Sequence, residues 1–485
     1  MAESKNLLYI GGEWVTPSTT NTIDVISPFT EEVIATVPEA AEGDVDRAVE
    51  AAKAALDGPY PRLSPAERAD VISKLSAAIG ARAMEFAELI TTEMGSPASF
   101  SLMGQVFSAT MIYDGYANLA RTYPFEEPRA GALGPVLVRK ESVGVSAGIV
   151  PWNVPLFEIA CKLAPALAAG SPIVLKPSPE TPLDSYLLAE ILDEIELPKG
   201  MVSFLPAGRE VGEYLVRHPG IDKVTFTGST AAGRKVAAIC GEQLKRVTLE
   251  LGGKSAAIIL DDADLATHIP TLMPSALMNN GQACVAQTRI LAPRGRYDEV
   301  VDAIAEAVRG TSVGDPSDPS VIVGPLVAER QRDRVLGYIE KGNAEGAKLA
   351  VGGGRPASQP KGWFVEPTLF VDVDNSMTIA QEEIFGPVLA VIPYDDESDA
   401  VRIANDSDFG LSGSVWTADV ERGIDVARQV RTGTYGVNSI ATIDIQQPFG
   451  GFKASGIGRE FGPEGLSAFL ETKTIVLPGD YQPPS

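Results

Sequence analysis

The chain has 485 residues, 45% of them hydrophobic and 21% charged, which excludes a disordered chain and suggests roughly two to four domains. Asp and Glu number 64 against 40 Lys and Arg, and the net charge of −24 repels phosphate backbones and anionic lipids, so neither nucleic acid nor a membrane is an expected partner. Three cysteines without a CxxC pair supply neither a disulfide framework nor a thiolate metal site, and two histidines, His218 and His268, leave little for imidazole chemistry.

The first residues, MAESKNLLYIGGEW, lack the basic start and apolar core of a signal peptide. Apolar residues at helical spacing predict helices over 44–56 and 65–90, the second opened by Ser64 as cap and Pro65 in the first turn. A further helix is expected over 98–121. Residues 122–142 then bring prolines and glycines, followed by Val136 and Val138 alternating with polar residues, the pattern of a protruding hairpin. The most apolar stretch, 144–175, is interrupted by Glu158, Lys162 and four prolines, so it is not a membrane span. A cytoplasmic protein is expected.

From residue 143 the rhythm is regular. Strand-like runs at 143–150, 172–176, 201–205, 223–227 and 246–251 alternate with helical patterns at 156–169, 181–195, 209–217 and 229–241. Such alternation implies a doubly wound parallel sheet that binds ligands at the carboxyl ends of its strands. A second α/β series runs through 255–260, 290–292, 369–373 and 388–394, with a helix at 330–343 among its connections. The tail, TKTIVLP, is a β-branched run that needs a partner remote in sequence, and pairing within an oligomer would supply one.

Candidate chemistry follows from four segments. Cys284, in NNGQACVAQT, sits among amides and beside Gly281, whereas Cys161 and Cys240 lie in apolar helical patterns typical of buried cysteines. Glu250, in LELGGKSA, ends an apolar strand, where desolvation would raise its pKa towards that of a general base. The GGKS that follows is not a phosphate loop, because Thr248 stands where that motif needs glycine. Residues 225–233, with Gly228, Ser229 and Gly233, read as strand, tight turn, cap and helix; the helix start offers N–H groups to a pyrophosphate or is simply capped. Asn153, in PWNVP, either donates to a developing oxyanion or satisfies a turn.

Taken together, and with EEIFGPV at 382–388 and PFGGFKASGIGRE at 448–460, these segments resemble the aldehyde dehydrogenase superfamily over nearly the whole chain. The resemblance implies an α/β fold with a discontinuous Rossmann-type NAD-binding domain (1–121 and 143–251), an α/β catalytic domain (252–465) and a β oligomerisation arm (122–142 and 466–485). It implies Cys284 as nucleophile, Asn153 as oxyanion donor and Glu250 as hydrolytic base, with no metal. By the same likeness Lys176 and Ser229 hold the adenosine and phosphates of NAD. Glu383 takes the nicotinamide ribose, Phe385 lies beside the ring, and Ile149 and Trp152 line the site. Many NAD-preferring members carry a ribose-binding glutamate three residues after this lysine; here Pro179 stands there, which leaves NADP open as an alternative.

Val154, Glu158 and Cys161 fall on one helix face that, in the family, lines the aldehyde tunnel, with Ile440 and Ile443 in the opposite loop. Small side chains there imply a wide tunnel. Glu158, with no evident Arg partner, would repel carboxylate-bearing substrates, so bulky neutral aldehydes are expected over succinic-semialdehyde-type compounds. A homodimer or homotetramer is expected. Two alternatives stand beside this reading: a CoA-acylating relative, against which Glu250 argues, and a non-catalytic member, which would need neither Cys284 nor Glu250. A zinc alcohol dehydrogenase is excluded by the lack of a Cys/His ligand set.

Overall fold

The computed structural model describes residues 3–440, 444–479 and 481. Its first large sheet has five parallel strands at its centre, in the order Arg246–Glu250, Lys223–Thr227, Ser146–Ile149, Ile173–Lys176, Val202–Phe204. Every residue of Ser146–Ile149 and Ile173–Lys176 is buried, as a sheet covered on both faces requires. The order in sequence runs outward from Ser146–Ile149 in both directions, so the chain reverses between that strand and Lys223–Thr227. Register then brings Ile149, Lys176, Thr227 and Glu250 to one carboxyl rim: Ile149 pairs with Lys176, and Thr227 with Glu250. Antiparallel strands close both sides, Leu8–Ile10 and Glu13–Val15 at one edge and Gly456–Ile457 at the other.

The second sheet runs Lys348–Val351, Thr368–Val371, Val388–Tyr394, Arg289–Pro293, Ala256–Ile259, Gly413–Trp416, Gly436–Val437, parallel except for its first strand. Leaving Glu250 on the carboxyl rim of one sheet, the chain enters Ala256 on the amino rim of the other, and Ala256 pairs with Arg289. Cys284 lies just before Arg289. The nucleophile candidate and the carboxylate candidate therefore meet across the crevice between the two sheets.

Two helices differ from their sequence patterns. The run over 65–90 breaks at Arg82 into Pro65–Ala81 and Ala83–Met94, and the Arg82 guanidinium is held by Glu85 and Glu190. Ser64 and Glu67 form the expected reciprocal cap. The run over 98–121 contains a π-helical stretch, Ser101–Phe107, before Ser108–Thr122. Gly104 lies inside that stretch with the Phe100 ring 2.5 Å from where a Cβ would stand, so the widened turn leaves room for an aromatic that any other residue would displace.

The tail strand Leu470–Val476 pairs antiparallel with Gly134–Ser142, which pairs in turn with Glu126–Gly131. The partner remote in sequence is thus the chain's own hairpin, while among the described residues the outer edges of Leu470–Val476 and Glu126–Gly131 pair with no further strand. Among the described residues no helix is long and apolar enough to cross a membrane.

Candidate active site

The Cys284 loop is built by the amides in front of it. Asn279, Asn280 and Gly281 are all left-handed (φ 51°, 64° and 74°), a conformation Asn tolerates better than most residues. A Cβ on Gly281 would lie 2.2 Å from the Gly386 carbonyl carbon, so only glycine fits. Asn280 donates to the Gly95 and Pro325 carbonyls (2.8 and 2.9 Å) and accepts from Gly324 N–H (2.6 Å). Asn279 donates to the Asn153 carbonyl at 2.7 Å, and the Asn153 side-chain amide donates back to the Gln282 carbonyl at 3.0 Å. These amides are scaffold, and they lock Asn153 against the loop that carries Cys284. Of the three cysteines only Cys284 is half-exposed; Cys161 and Cys240 are buried.

A cavity of about 220 Å³ collects Trp152, Asn153, Cys284, Glu383 and Phe385. Glu383 accepts from Gly253 N–H at 2.9 Å, and burial lifts its carboxyl to about 7. Trp152 and Phe385 meet edge to face at 5.3 Å. Gln331 and Arg334 also line this cavity; they donate at 2.7 Å to the Phe385 and Glu383 carbonyls and so fix that loop. Sequence reasoning missed both, although their spacing on the helix Glu329–Ala344 marks a shared polar face. The Gly252-Gly253 linker is glycine because a Cβ on Gly253 would lie 2.3 Å from the Cys284 carbonyl oxygen.

A second cavity, about 210 Å³, has walls from Ile149, Phe226, Val236 and Ile239, with Lys176, Ser229 and Glu213 among its polar groups. Ser229 lines both cavities and caps the helix Thr230–Glu242, whose free N–H groups open where the cavities meet. Gly228 and Gly233 hold this turn tight: a Cβ on Gly233 would lie 2.4 Å from Leu251. Lys176 donates to the Ala207 and Pro177 carbonyls (2.8 and 2.9 Å), and burial pulls its ammonium down to about 8. Arg209 and Lys235 line this cavity too and had no sequence signal beyond their charge.

Beneath the crevice lies a buried charge cluster. Glu250 is buried, and among the described residues neither of its oxygens accepts a hydrogen bond; burial, then Glu460 and Glu158, hold its proton far above the usual carboxylate range. Lys162 donates to Glu158 and the Thr227 hydroxyl (both 2.7 Å) and to Glu460 (3.2 Å). Its ammonium occupies the space between Glu158 and Glu460, so these carboxylates and Cys161 do not form a cation site. Burial, followed by Glu158, Glu383 and Glu250, also pushes the Cys284 thiol up.

This cluster alters the picture of the substrate wall. Glu158 does line the first cavity, but it is not a free charge: Lys162, one turn along the same helix, neutralises it. The helix Pro155–Ala169 is buried along its whole length, so Cys161, only 1% exposed, packs in the core, while Val154 packs against the same core. Neither lines the cavity. Ile440 packs on the second sheet, and Ile443 lies outside the described residues. The i, i+4, i+7 pattern marked core packing, because a central helix has no face turned to solvent.

The sequence pattern of the family described as "Aldehyde dehydrogenase family" matches residues 14–475. Geranial dehydrogenase of Castellaniella defragrans is 47% identical, covering 97% of this chain and 98% of its own. A 3-succinoylsemialdehyde-pyridine dehydrogenase of a Pseudomonas species is 44% identical, covering 96% and 98%. The crystal structure of a Mycobacterium tuberculosis aldehyde dehydrogenase complexed with NAD+ is 52% identical and superposes with a TM-score of 0.98, covering 99% and 100%.

Proposed function

The chain belongs to the aldehyde dehydrogenase family and is an aldehyde dehydrogenase; on that premise we propose that it oxidises bulky neutral aldehydes to carboxylic acids, with Cys284 as nucleophile and Glu250 as the base for hydrolysis. The observation that carries this reading is a single crevice in which the half-exposed Cys284 and Asn153 face Glu383 and Phe385, with the unpartnered Glu250 at the adjoining strand end.

The cofactor is NAD, as in the 52% identical structure. The residues fit it: two cavities of similar size join at a helix N-terminus, one with apolar walls and a buried lysine, the other with a buried glutamate and an aromatic pair. Lys176 and Ser229 would hold the adenosine and phosphates, and Glu383 and Phe385 the nicotinamide end. When bound, NAD+ supplies the hydride acceptor. Ile149 and Trp152 exclude water from either side of the junction.

The residues divide the work by their chemistry. Glu250, with both oxygens uncommitted, takes a proton once it is ionised. The Cys284 sulfur, once deprotonated, bonds to the aldehyde carbon and makes a thiohemiacetal. One N–H of the Asn153 amide is spent on Gln282, and the second can donate to the new oxyanion beside the Cys284 N–H. Such a donor typically lowers the barrier by about 3–4 kcal/mol. Oxidation leaves a thioester on Cys284, and Glu250 removes a proton from the water that cleaves it to acid and thiol. A CoA-acylating route would leave Glu250 without a task.

Two relatives support the substrate class: geranial is a medium-sized unsaturated aldehyde, and the pyridine semialdehyde is aromatic, and neither carries a carboxylate. The open outer edges of the three-stranded arm support a homodimer or homotetramer. The test is kinetic. Cys284→Ser should abolish NADH formation while titration shows NAD+ still bound. Glu250→Gln should give one burst of NADH and then slow turnover, and kcat/KM should be higher for medium-chain and aromatic aldehydes than for succinic semialdehyde. Near-normal turnover in Cys284→Ser, or an unchanged steady rate without a burst in Glu250→Gln, overturns the assignment.

A further inference from the structure

Three residues after Lys176 stands Pro179, whose side chain offers the ribose hydroxyls no acceptor. Glu180 does not supply one. One of its oxygens is ion-paired with Arg330 and the other accepts from the Ser178 hydroxyl, so both are already engaged. A different carboxylate comes in from the amino-terminal part of the chain. Glu39 follows the strand Val33–Pro38 of a small separate sheet, and its backbone bridges that sheet to the main one. The Glu39 N–H donates to the Asn21 carbonyl and the Ala40 N–H to the Pro206 carbonyl, both at 2.9 Å.

That bridge sets the Glu39 side chain beside Lys176. Glu39 Oε1 accepts from Gly208 N–H at 3.2 Å, and the preceding carbonyl, Ala207, accepts from Lys176 Nζ at 2.8 Å. The second Glu39 oxygen accepts no hydrogen bond among the described residues. Glu39 and Arg209 line an open cleft of about 530 Å³ that adjoins the Lys176 cavity, with Arg209 belonging to both. Among the described residues Arg209 and Lys235 form no ion pair, while Glu213, which also lines the Lys176 cavity, pairs with Arg217, so this end of the cavity holds cations that a phosphate could reach.

We propose that Glu39 reads the adenosine ribose diol and selects NAD+ over NADP+, doing from the amino-terminal segment what a carboxylate after Lys176 does elsewhere. The free oxygen accepts from a ribose hydroxyl, and its charge opposes a 2′-phosphate at the same place. This rests on the reading that Lys176 holds the adenosine ribose.

The experiment titrates NAD+ and NADP+ into the whole protein and follows quenching of tryptophan fluorescence, with turnover measured in parallel. Wild type should bind NAD+ at least about tenfold more tightly, the scale of one lost polar contact. Glu39→Gln keeps an oxygen for Gly208 N–H but removes the charge. It should narrow that ratio by about tenfold, mainly by tightening NADP+, and adding Arg209→Ala should reverse the gain. A ratio within about twofold of wild type in Glu39→Gln overturns the proposal, as does equal binding of both cofactors by wild type. Lys176→Ala separates the two readings: if it leaves NAD+ affinity untouched, the adenosine site itself is misassigned; if it weakens NAD+ while Glu39→Gln changes nothing, only the role of Glu39 fails.

Discussion

Glu250 shows how a single side chain is tuned by what it lacks. Burial first, then Glu460 and Glu158, holds its proton far above the usual carboxylate range, with no hydrogen-bond donor to it among the described residues and against the smaller opposing pull of Lys162 and Arg459. A raised carboxyl is ionised only above its folded pKa, so hydrolysis of the thioester should slow as pH falls through that value. The sign for stability is opposite. Above the ordinary carboxyl range the folded protein holds a proton that the unfolded chain has lost, so this group costs more stability as pH rises towards its folded pKa. Glu250→Gln should remove the acidic limb from the deacylation rate and flatten the fall of Tm with pH. A rate profile unchanged in that variant would show that another group supplies the limb.

At the scale of an element, the helix Pro155–Ala169 concentrates the problem. Every residue is buried, yet it carries Glu158 and Lys162, which can be tolerated only as a pair. Lys162 also reaches Glu460 and Thr227, tying this helix to the Gly-rich segment before the tail and to the first sheet. Lys162→Met should leave Glu158 and Glu460 buried without a partner and cost about 3–5 kcal/mol in chemical denaturation. Glu158→Gln, which leaves Lys162 its bond to Glu460, should cost distinctly less. Equal losses would mean that Glu460 contributes nothing to holding the ammonium.

The whole molecule is built on two large sheets facing across a crevice, with smaller sheets beside them, one of which is the three-stranded arm. The arm strand Glu126–Gly131 is exposed along its length, and Leu133 at the hairpin tip and Val476 at the tail are exposed apolar residues. Unpaired edges of this kind are normally covered. Deleting residues 470–485 should therefore convert the proposed oligomer to a smaller species in analytical ultracentrifugation. A wild-type monomer, or an oligomer of unchanged mass after deletion, would refute the role given to the arm.

Much was legible in the sequence because it depends on local chemistry. The strand and helix rhythm of 143–251, the Ser64 cap, the Gly-rich turn at Gly228–Gly233 and the contrast between Cys284 and the two apolar-helix cysteines each follow from residue type and spacing. A reading that looks for an Arg partner misses the pairing of Glu158 with Lys162, although one helical turn separates them; that both are buried is not a local property at all. Periodicity tells which residues share a face; it does not tell whether that face meets a cavity or a core, and for Val154 and Cys161 the surrounding layers decided it. The approach of Glu39 to Lys176 joins segments far apart in the chain through the Ala40 N–H to Pro206 bond and the Gly208 N–H to Glu39 carboxylate bond. No spacing rule in the sequence encodes such a contact, because it exists only once separate sheets have packed together.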